Sequence, residues 1–406
     1  MENAQSFKIG IGETESCGRG NRQISRASER SVASDCWGSA LSVPFWTGNG
    51  GVRGESLMDL RARGPFIETL MDFATRLDRT LQVVRGEGPL VLDLFAGCGG
   101  LTLGFEARGF RTLGFEIDPW CCETYSSNLS GECRNLELSP QTNYPSASVI
   151  VGGPPCQPFS VGGNQLGLED SRDGFPAFIS AVRRVQPEIW LFENVRGMLY
   201  GNRPYFDEIL DSLEECGYVV EHRLLNAVDF GVPQNRERVI CVGHRGEFRW
   251  PEKEMNRVCA GEALGKLMKD APADGKYLTP SMDAYVAKYE KVSKCVRPRD
   301  LHPEKPARTL TCRNLAGATG DMHRIALPDG RRRRLNAREA ARLQSFPDWF
   351  RFCGGEIAVL NQIGNAVAPL FAWHLAGAVE AYLETHLSLS GAEIAARKRD
   401  VQLSLI

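Results

Sequence analysis

The sequence predicts an α/β protein: a Rossmann-like, mostly parallel sheet covered by helices on both faces, with a second, smaller module placed late in the chain. Three observations predict it. Short apolar runs alternate with helical patterns from Pro89 to Gly243. The first of those runs ends in a glycine turn. After His244 the alternation stops and basic residues accumulate.

Taken in order, residues 1–55 are rich in Gly, Ser, Asn, Arg and Glu and read as a mobile N-terminal extension. Residues 56–86 form a helical lead-in, with Leu57, Leu60, Phe66, Leu70, Phe73, Leu77 and Leu81 at helical spacing around Gly64-Pro65. The catalytic and cofactor-binding domain is expected over 87–243. There Leu90–Phe95 reads as a buried strand, Ala96–Gly100 as a glycine turn, and Leu101–Arg108 as a helix closed by Gly109. Phe110–Phe115 is the next strand and leads into Glu116, Ile117 and Asp118; Pro119 opens a helix through Asn128. Strands follow at Ser148–Val151, Ile189–Glu193, Tyr218–Leu225 and Val239–Gly243. Helices fall between them at Phe175–Val185 and Tyr205–Cys216.

Residues 244–335 read as the second module and 336–386 as a segment that returns to the first domain. In that segment Asn336 caps a helix with Glu339 three residues on. Leu360–Leu383 is the last clear element.

Composition excludes several classes. The 406 residues contain 13 cysteines, an odd number with no Cys-x-x-Cys, and the six histidines do not lie near them at ligand spacing. A disulfide framework and a metal site are both disfavoured, and a reducing, cytoplasmic location is expected. The uncharged stretch Ala358–Val379 holds Asn361, Gln362, Asn365, Pro369 and His374, so it reads as a soluble core helix and no membrane partner is expected. The net charge is −2, yet His244–Leu335 carries 20 Lys/Arg against 12 Asp/Glu. A local surplus of that kind suggests a polyanion-binding surface, although charge runs are more often solvated faces.

Three motifs carry chemistry. Gly97, Gly99 and Gly100 follow Phe95 between a strand and a helix, where backbone can approach a ligand and the helix N-terminus meets its anionic part. Glu116 ends the next strand, a usual place for a carboxylate that accepts from ribose hydroxyls. Together they imply an adenosine-containing cofactor. The glycine spacing is neither Gly-x-Gly-x-x-Gly nor a Walker loop.

The second motif is Gly153-Pro-Pro-Cys-Gln-Pro-Phe-Ser160, a stiff turn that holds Cys156 at a strand end. A free cysteine is ordinarily a small buried residue. Here Glu193 ends a neighbouring strand and should share the same crevice. As a simple pair the carboxylate would raise the thiol pKa. The pairing makes sense around a pyrimidine, with the thiolate adding at C6 and the carboxyl group bonding N3 and the exocyclic amine, so that C5 becomes nucleophilic. The third motif is Gln234-Asn-Arg-Glu-Arg238, with Arg236 and Arg238 on one side of a starting strand and suited to phosphate or a base carbonyl.

These motifs resemble, in order and separation, those of the DNA (cytosine-5) methyltransferases of bacterial restriction–modification systems. Asp93-Leu-Phe-Ala-Gly-Cys-Gly-Gly100 is similar to that family's cofactor loop and Glu116-Ile-Asp118 to its ribose-binding turn. Gly153–Ser160 is similar to the nucleophile loop, Glu193-Asn-Val195 to the base-binding carboxyl segment, and Gln234–Arg238 to the arginine motif. Arg334–Pro347 matches the segment bordering the target-recognition region and Gly364-Asn-Ala-Val367 the last motif, so the likeness spans Leu90–Leu383.

The resemblance implies a fold of the S-adenosylmethionine-dependent methyltransferases, with S-adenosylmethionine as methyl donor. Phe95, Gly97, Gly99, Gly100, Glu116, Ile117, Pro154, Asn365 and Val367 would line its site. Cys156, Glu193, Arg236 and Arg238 would serve a cytosine flipped out of duplex DNA. The glycine-bearing loop Gln157–Arg172 would close over it, and residues 244–335 would recognise the target. A monomer with a cognate restriction endonuclease in the same system is expected. Two departures stand out: the adenine-amine contact falls to either Asn135 or Glu137, and the N-terminal extension has no counterpart in the minimal enzymes. A tRNA cytosine-5 methyltransferase on the same scaffold is the alternative. Those relatives carry a Cys-Phe-Thr motif where this chain has Thr309-Leu-Thr-Cys-Arg313.

Overall fold

In the computed structural model the described residues are 71–155, 173–292, 299–317 and 321–387. Seven strands form one sheet in the order β3-β2-β1-β4-β5-β7-β6. They are β1 (Leu90–Leu94), β2 (Arg111–Glu116), β3 (Glu132–Asn135), β4 (Val149–Gly152), β5 (Ile189–Val195), β6 (Val219–Asn226) and β7 (Glu237–His244). All pairings among the first five strands are parallel, whereas β7 runs antiparallel to both β5 and β6. The chain winds outward from β1 to β3 and returns to β4 beside β1. Its direction therefore reverses between β1 and β4, the place in an open α/β sheet where a crevice opens at the carboxyl ends.

Alternation along the strands explains the two-sided cover. Leu92, Leu94, Ile150, Trp190 and Phe192 face one way, into an aromatic layer under α4 (Phe175–Val185) and α5 (Arg203–Glu214). Val91, Val149, Val151, Ile189 and Leu191 face the other way. There they meet α2 (Gly100–Glu106) and α11 (Pro369–Leu387). A one-residue slip would exchange these faces, so the register is strongly specified. Helix α11 approaches α2 at Gly104, where a Cβ would lie 2.5 Å from the Ala372 carbonyl carbon. That contact brings the C-terminal segment back onto the first βα unit.

Helix α1 (Phe73–Thr80) falls within the expected lead-in, whose residues 56–70, like the extension 1–55, lie outside the described residues; α3 (Pro119–Asn128) matches the sequence reading, and Asp118 caps it through the Trp120 and Cys121 amides. Besides β3, a mostly polar strand that no apolar run signals, two elements differ from expectation. The last one is two helices, α10 (Glu356–Asn365) and α11, with Ala366 extended at φ −61° and ψ 145°. Pro369 cannot continue a helix and biases the residue before it away from α geometry, which opens the break. Strand β7 starts earlier than expected, so Arg238 lies inside it. Among the described residues Glu356–His386 is long and apolar enough to cross a membrane, but it is broken at this point and 61% of its most apolar window is buried in the protein.

Residues 244–335 contain α6 (Ala260–Leu264), α7 (Pro280–Val292), α8 (Cys312–Ala316) and a hairpin of β8 (Arg324–Ala326) with β9 (Arg332–Arg334). Their apolar side chains, including Val258, Leu301 and Leu310, join the same core layer as the sheet. Part of the basic surplus here is internal or paired. Arg324 is fully buried against Asp300 and Glu290, and Arg332 pairs with Asp283. Arg334 donates to the Leu315 and Ala316 carbonyls.

Arg333 is 1% exposed and makes a two-pronged bond to Glu339 of α9 (Ala337–Leu343) at 2.7 and 2.8 Å. Glu339 also closes the capping box with Asn336. Removing one member of such a pair strands a buried charge. Arg333→Met is therefore expected to lower unfolding stability by about 3–5 kcal/mol, read as a shift in the denaturant midpoint. A change below about 1 kcal/mol would contradict this role.

Candidate active site

The site is built where the sheet reverses. At the end of β1 the chain turns sharply: Phe95 takes φ 63°, a left-handed conformation uncommon for an aromatic residue, and Gly97 takes φ 56°. The Ala96 amide bonds the Phe115 carbonyl at 3.0 Å, tying the turn to β2. Glu116 completes the tie. Its Oε2 accepts from the Gly97 amide at 2.8 Å, and its Oε1 accepts from the Ile117 and Asp118 amides at 3.0 and 2.9 Å. A Cβ on Gly97 would meet nothing within 4 Å, so the turn faces open space. On its inner side a Cβ on Gly100 would lie 2.4 Å from the Val367 carbonyl oxygen. Gly97, Gly100, Glu116 and Val367 are thus brought together. Asn365 is exposed at the end of α10, and its Oδ1 accepts from the Cys312 thiol at 2.8 Å. The turn's own thiol, Cys98, is buried and pushed up to about 12, which leaves it inert as a nucleophile.

Behind the turn Asp93 is buried. Its Oδ2 accepts from Thr102 at 2.5 Å, and its Oδ1 has no partner. Burial, with the charge of Glu116 adding, pushes its pKa up to about 7. Between the ordinary Asp value of 3.8 and 7, the folded state holds a proton that the unfolded state has released. Stability contributed at this position therefore falls as pH rises across that window. Asp93→Asn is expected to flatten the decline across the same window, from about pH 4 to about 7, measured by denaturant unfolding at each pH. Parallel curves for the two proteins would contradict the assignment.

Cys156 and the loop Gln157–Arg172 lie outside the described residues, but both flanks are described. Asn194 Nδ2 donates to the Pro154 carbonyl at 2.9 Å, and the Gly174 amide donates to the Pro155 carbonyl at 3.0 Å. The chain thus leaves and re-enters at one place beside β5. Gly152 is in register with Phe192, so Glu193 is the first β5 residue past the end of β4.

Glu193 Oε1 receives Arg238 Nε at 2.8 Å, each side chain being 12% exposed. The pair follows from topology. Glu193 is in register with Ile240 on the antiparallel β7, and Arg238 is its diagonal neighbour on the same face. An arginine at the start of an antiparallel strand reaches the carboxyl edge of the parallel one.

Arg236 occupies a different setting. It is 2% exposed; Nη1 donates to the Leu310 carbonyl at 2.9 Å, and Nη2 donates to the Gly364 and Ala366 carbonyls at 3.3 and 3.0 Å. Burial, with Arg238 adding, lowers its pKa to about 9, so it stays protonated at neutral pH. Gln234 is also buried. It donates to the Gln344 side chain at 2.5 Å and accepts from the Leu310 amide at 2.8 Å. Gln344 in turn donates to the Ala366 carbonyl at 2.6 Å. Sequence reasoning missed Asn194, Gln234 and Gln344 as anchors. The available signal was an uncharged polar residue at a position whose neighbours are core. At the far edge Asn135 Nδ2 donates to the Glu116 and Ile117 carbonyls at 3.0 and 2.8 Å, while Glu137 is exposed. Among the described residues no cluster of His, Cys, Asp and Glu could hold a metal.

This architecture is a methyltransferase fold. It is similar to the S. pombe Dnmt2 methyltransferase (TM-score 0.56, 18% identity, 75% of this chain and 100% of that one). It is also similar to the Entamoeba histolytica methyltransferase EhMeth (TM-score 0.57, 17% identity, 74% and 99%). Sequence narrows the class. Residues 90–381 match the family model for C-5 cytosine-specific DNA methylases. The Type II methyltransferase M.AplI of Arthrospira platensis is 55% identical over 300 residues, covering 73% of this chain and 86% of that protein. M1.HphI of Haemophilus parahaemolyticus is 35% identical over 321 residues, covering 71% and 86%. The chain belongs to the C-5 cytosine-specific DNA methylases.

Proposed function

We propose that this enzyme methylates C5 of a cytosine in a specific duplex DNA sequence with S-adenosylmethionine, as the modification partner in a Type II restriction–modification system. The observation that carries the reading is the meeting, at one sheet edge, of the Glu116-locked glycine turn and the Glu193–Arg238 pair, with the flanks of Cys156 between them.

The residues present fit the methyl donor. The Gly97 turn opens onto space, Glu116 stands beside it for the ribose, and Ile117 and Trp120 offer half-exposed apolar surface at the same edge. Phe95, Gly99, Pro154, Asn365 and Val367 complete the proposed lining. We assign the adenine amine to Asn135 Oδ1, because its amide nitrogen is already fixed on two carbonyls. When bound, the donor supplies an electrophilic methyl group.

The protein's own part is addition and positioning. Cys156 Sγ adds to C6 of a flipped cytosine, which places electron density on C5. Glu193 bonds N3 and the exocyclic amine, with Arg238 holding its other oxygen. After methyl transfer a water molecule from solvent takes the C5 proton, the C5–C6 double bond reforms and the C6–S bond breaks, which releases the thiolate. Residues 244–335 recognise the target, and the enzyme acts as a cytoplasmic monomer whose cognate nuclease cuts the unmodified site. Labelled methyl groups should pass to duplex DNA and not to competing tRNA. Preferential labelling of tRNA would overturn the substrate assignment.

A further inference from the structure

We propose that Arg236 is a positioning residue that sets the wall shared by the cofactor and cytosine pockets and does not itself touch the nucleotide. The inference deepens the proposed function and rests on its reading of the glycine turn as the methyl-donor site. Three observations lead to it.

First, the guanidinium is enclosed. It is 2% exposed, it donates to three carbonyls, and its remaining donor, Nε, is buried without a partner. Contact with a nucleotide would require those bonds to break in the interior. Second, the carbonyls belong to two separate segments. Leu310 lies on the stretch running beside Gln234, which is joined to it through the bridge of Gln234 with Ala307. Gly364 lies in the last turn of α10, and Ala366 opens the break before α11. A planar guanidinium spans both segments at once, whereas an ammonium on a flexible stem does not present opposed donors in fixed directions. Third, the break is where the C-terminal segment meets the cofactor turn. The Val367 oxygen and the Ala366 methyl group are the nearest neighbours of Gly100, at 2.4 and 3.2 Å from a Cβ placed there.

Two residues further on, Arg238 holds Glu193. The two arginines on either side of Glu237, the first residue of β7, therefore serve one pocket each. Arg236 fixes the position of residues 364–367 against the glycine turn, and Arg238 fixes the carboxyl group for the base. Gln344 supports the same joint by donating to the Ala366 carbonyl.

The test compares Arg236→Lys with the wild-type enzyme in two binding measurements. One is calorimetric titration with S-adenosylhomocysteine in the absence of DNA. The other is duplex-DNA affinity over a range of salt concentrations. Arg236→Lys is expected to weaken S-adenosylhomocysteine binding about tenfold and to leave duplex-DNA affinity unchanged at every salt concentration. A direct nucleotide contact predicts the reverse: unaltered S-adenosylhomocysteine affinity and weaker DNA binding at every salt concentration, because lysine keeps the charge but loses the fork. That result would overturn the inference. If Arg236→Lys does not fold, as judged by circular dichroism, Gln344→Met removes the second support of the Ala366 carbonyl and is expected to weaken S-adenosylhomocysteine binding in the same direction. Unchanged affinity in that variant would equally overturn it. A wild-type enzyme that fails to bind S-adenosylhomocysteine would instead remove the cofactor reading, and this inference with it.

Discussion

Replacing Cys156 with Ala should abolish methyl transfer, lowering turnover by at least about 10⁴-fold, while S-adenosylhomocysteine binding stays within about threefold of wild type. The expectation follows from the chemistry of the ring. Cytosine C5 is not nucleophilic enough to take a methyl group until a nucleophile has added at C6, so losing the thiol removes the step that all later steps need. The fold supports this placement through the flanks of the residue. The Pro154 carbonyl is held by Asn194, one residue after Glu193, so the segment leading to Cys156 is anchored to the strand that carries the carboxyl group. The glycine turn proposed for the cofactor hangs on β1 and β2 and shares none of these bonds, which is why binding there should survive. Measured methyl incorporation within tenfold of wild type would show that another group is the nucleophile.

Glu193→Gln is the second large effect. The amide is close to the carboxylate in shape but cannot supply a proton to N3, and positioned acid–base groups contribute on the order of 10²–10⁴ in rate. We expect kcat to fall by about 10²–10³-fold, with KM for DNA changing less than about fivefold. The pattern distinguishes a chemical role from a structural one. If Glu193 served only to hold Arg238, then Arg238→Lys, which keeps the charge and loses the fork, would reproduce the full loss in kcat. An equal loss in both variants would contradict the assignment of Glu193 to the base.

Most of the sheet was legible in the sequence, because helices join β1 to β2, β2 to β3 and β4 to β5 and each apolar run has local punctuation; the polar, exposed β3 carries no such signal. Gly109 and Gly217 both sit at positive φ after their helices, at 84° and 86°, as a C′ glycine should. The capping box of Asn336 and Glu339 formed as its spacing predicts. What local reading could not see was direction. Strand β7 looks like any other buried strand in composition, yet its reversal is what brings Arg238 to Glu193.

Burial of charge was equally hidden. Arg236 and Arg238 are two residues apart in one motif, and the sequence treats them alike. In the fold one lies against a carboxylate at the site edge, and the other lies in the interior on three carbonyls. The same holds for the run Arg331–Arg334. It reads as an exposed basic patch, but Arg333 is buried on Glu339 and Arg334 is bonded to α8. Charge counts register side chains without their partners, and these partners are distant in sequence. The helix break at Ala366–Ala368 was signalled by Pro369, but its purpose depends on the approach of Val367 to Gly100 across the chain.

The central claim is C5 methylation of cytosine in duplex DNA, and bisulfite sequencing tests it most directly. Unmethylated plasmid DNA incubated with the purified enzyme and S-adenosylmethionine should show protection of one cytosine within one short sequence context, with none in the Cys156→Ala control. Absence of a protected cytosine in every context, under conditions where S-adenosylmethionine is bound, would contradict it.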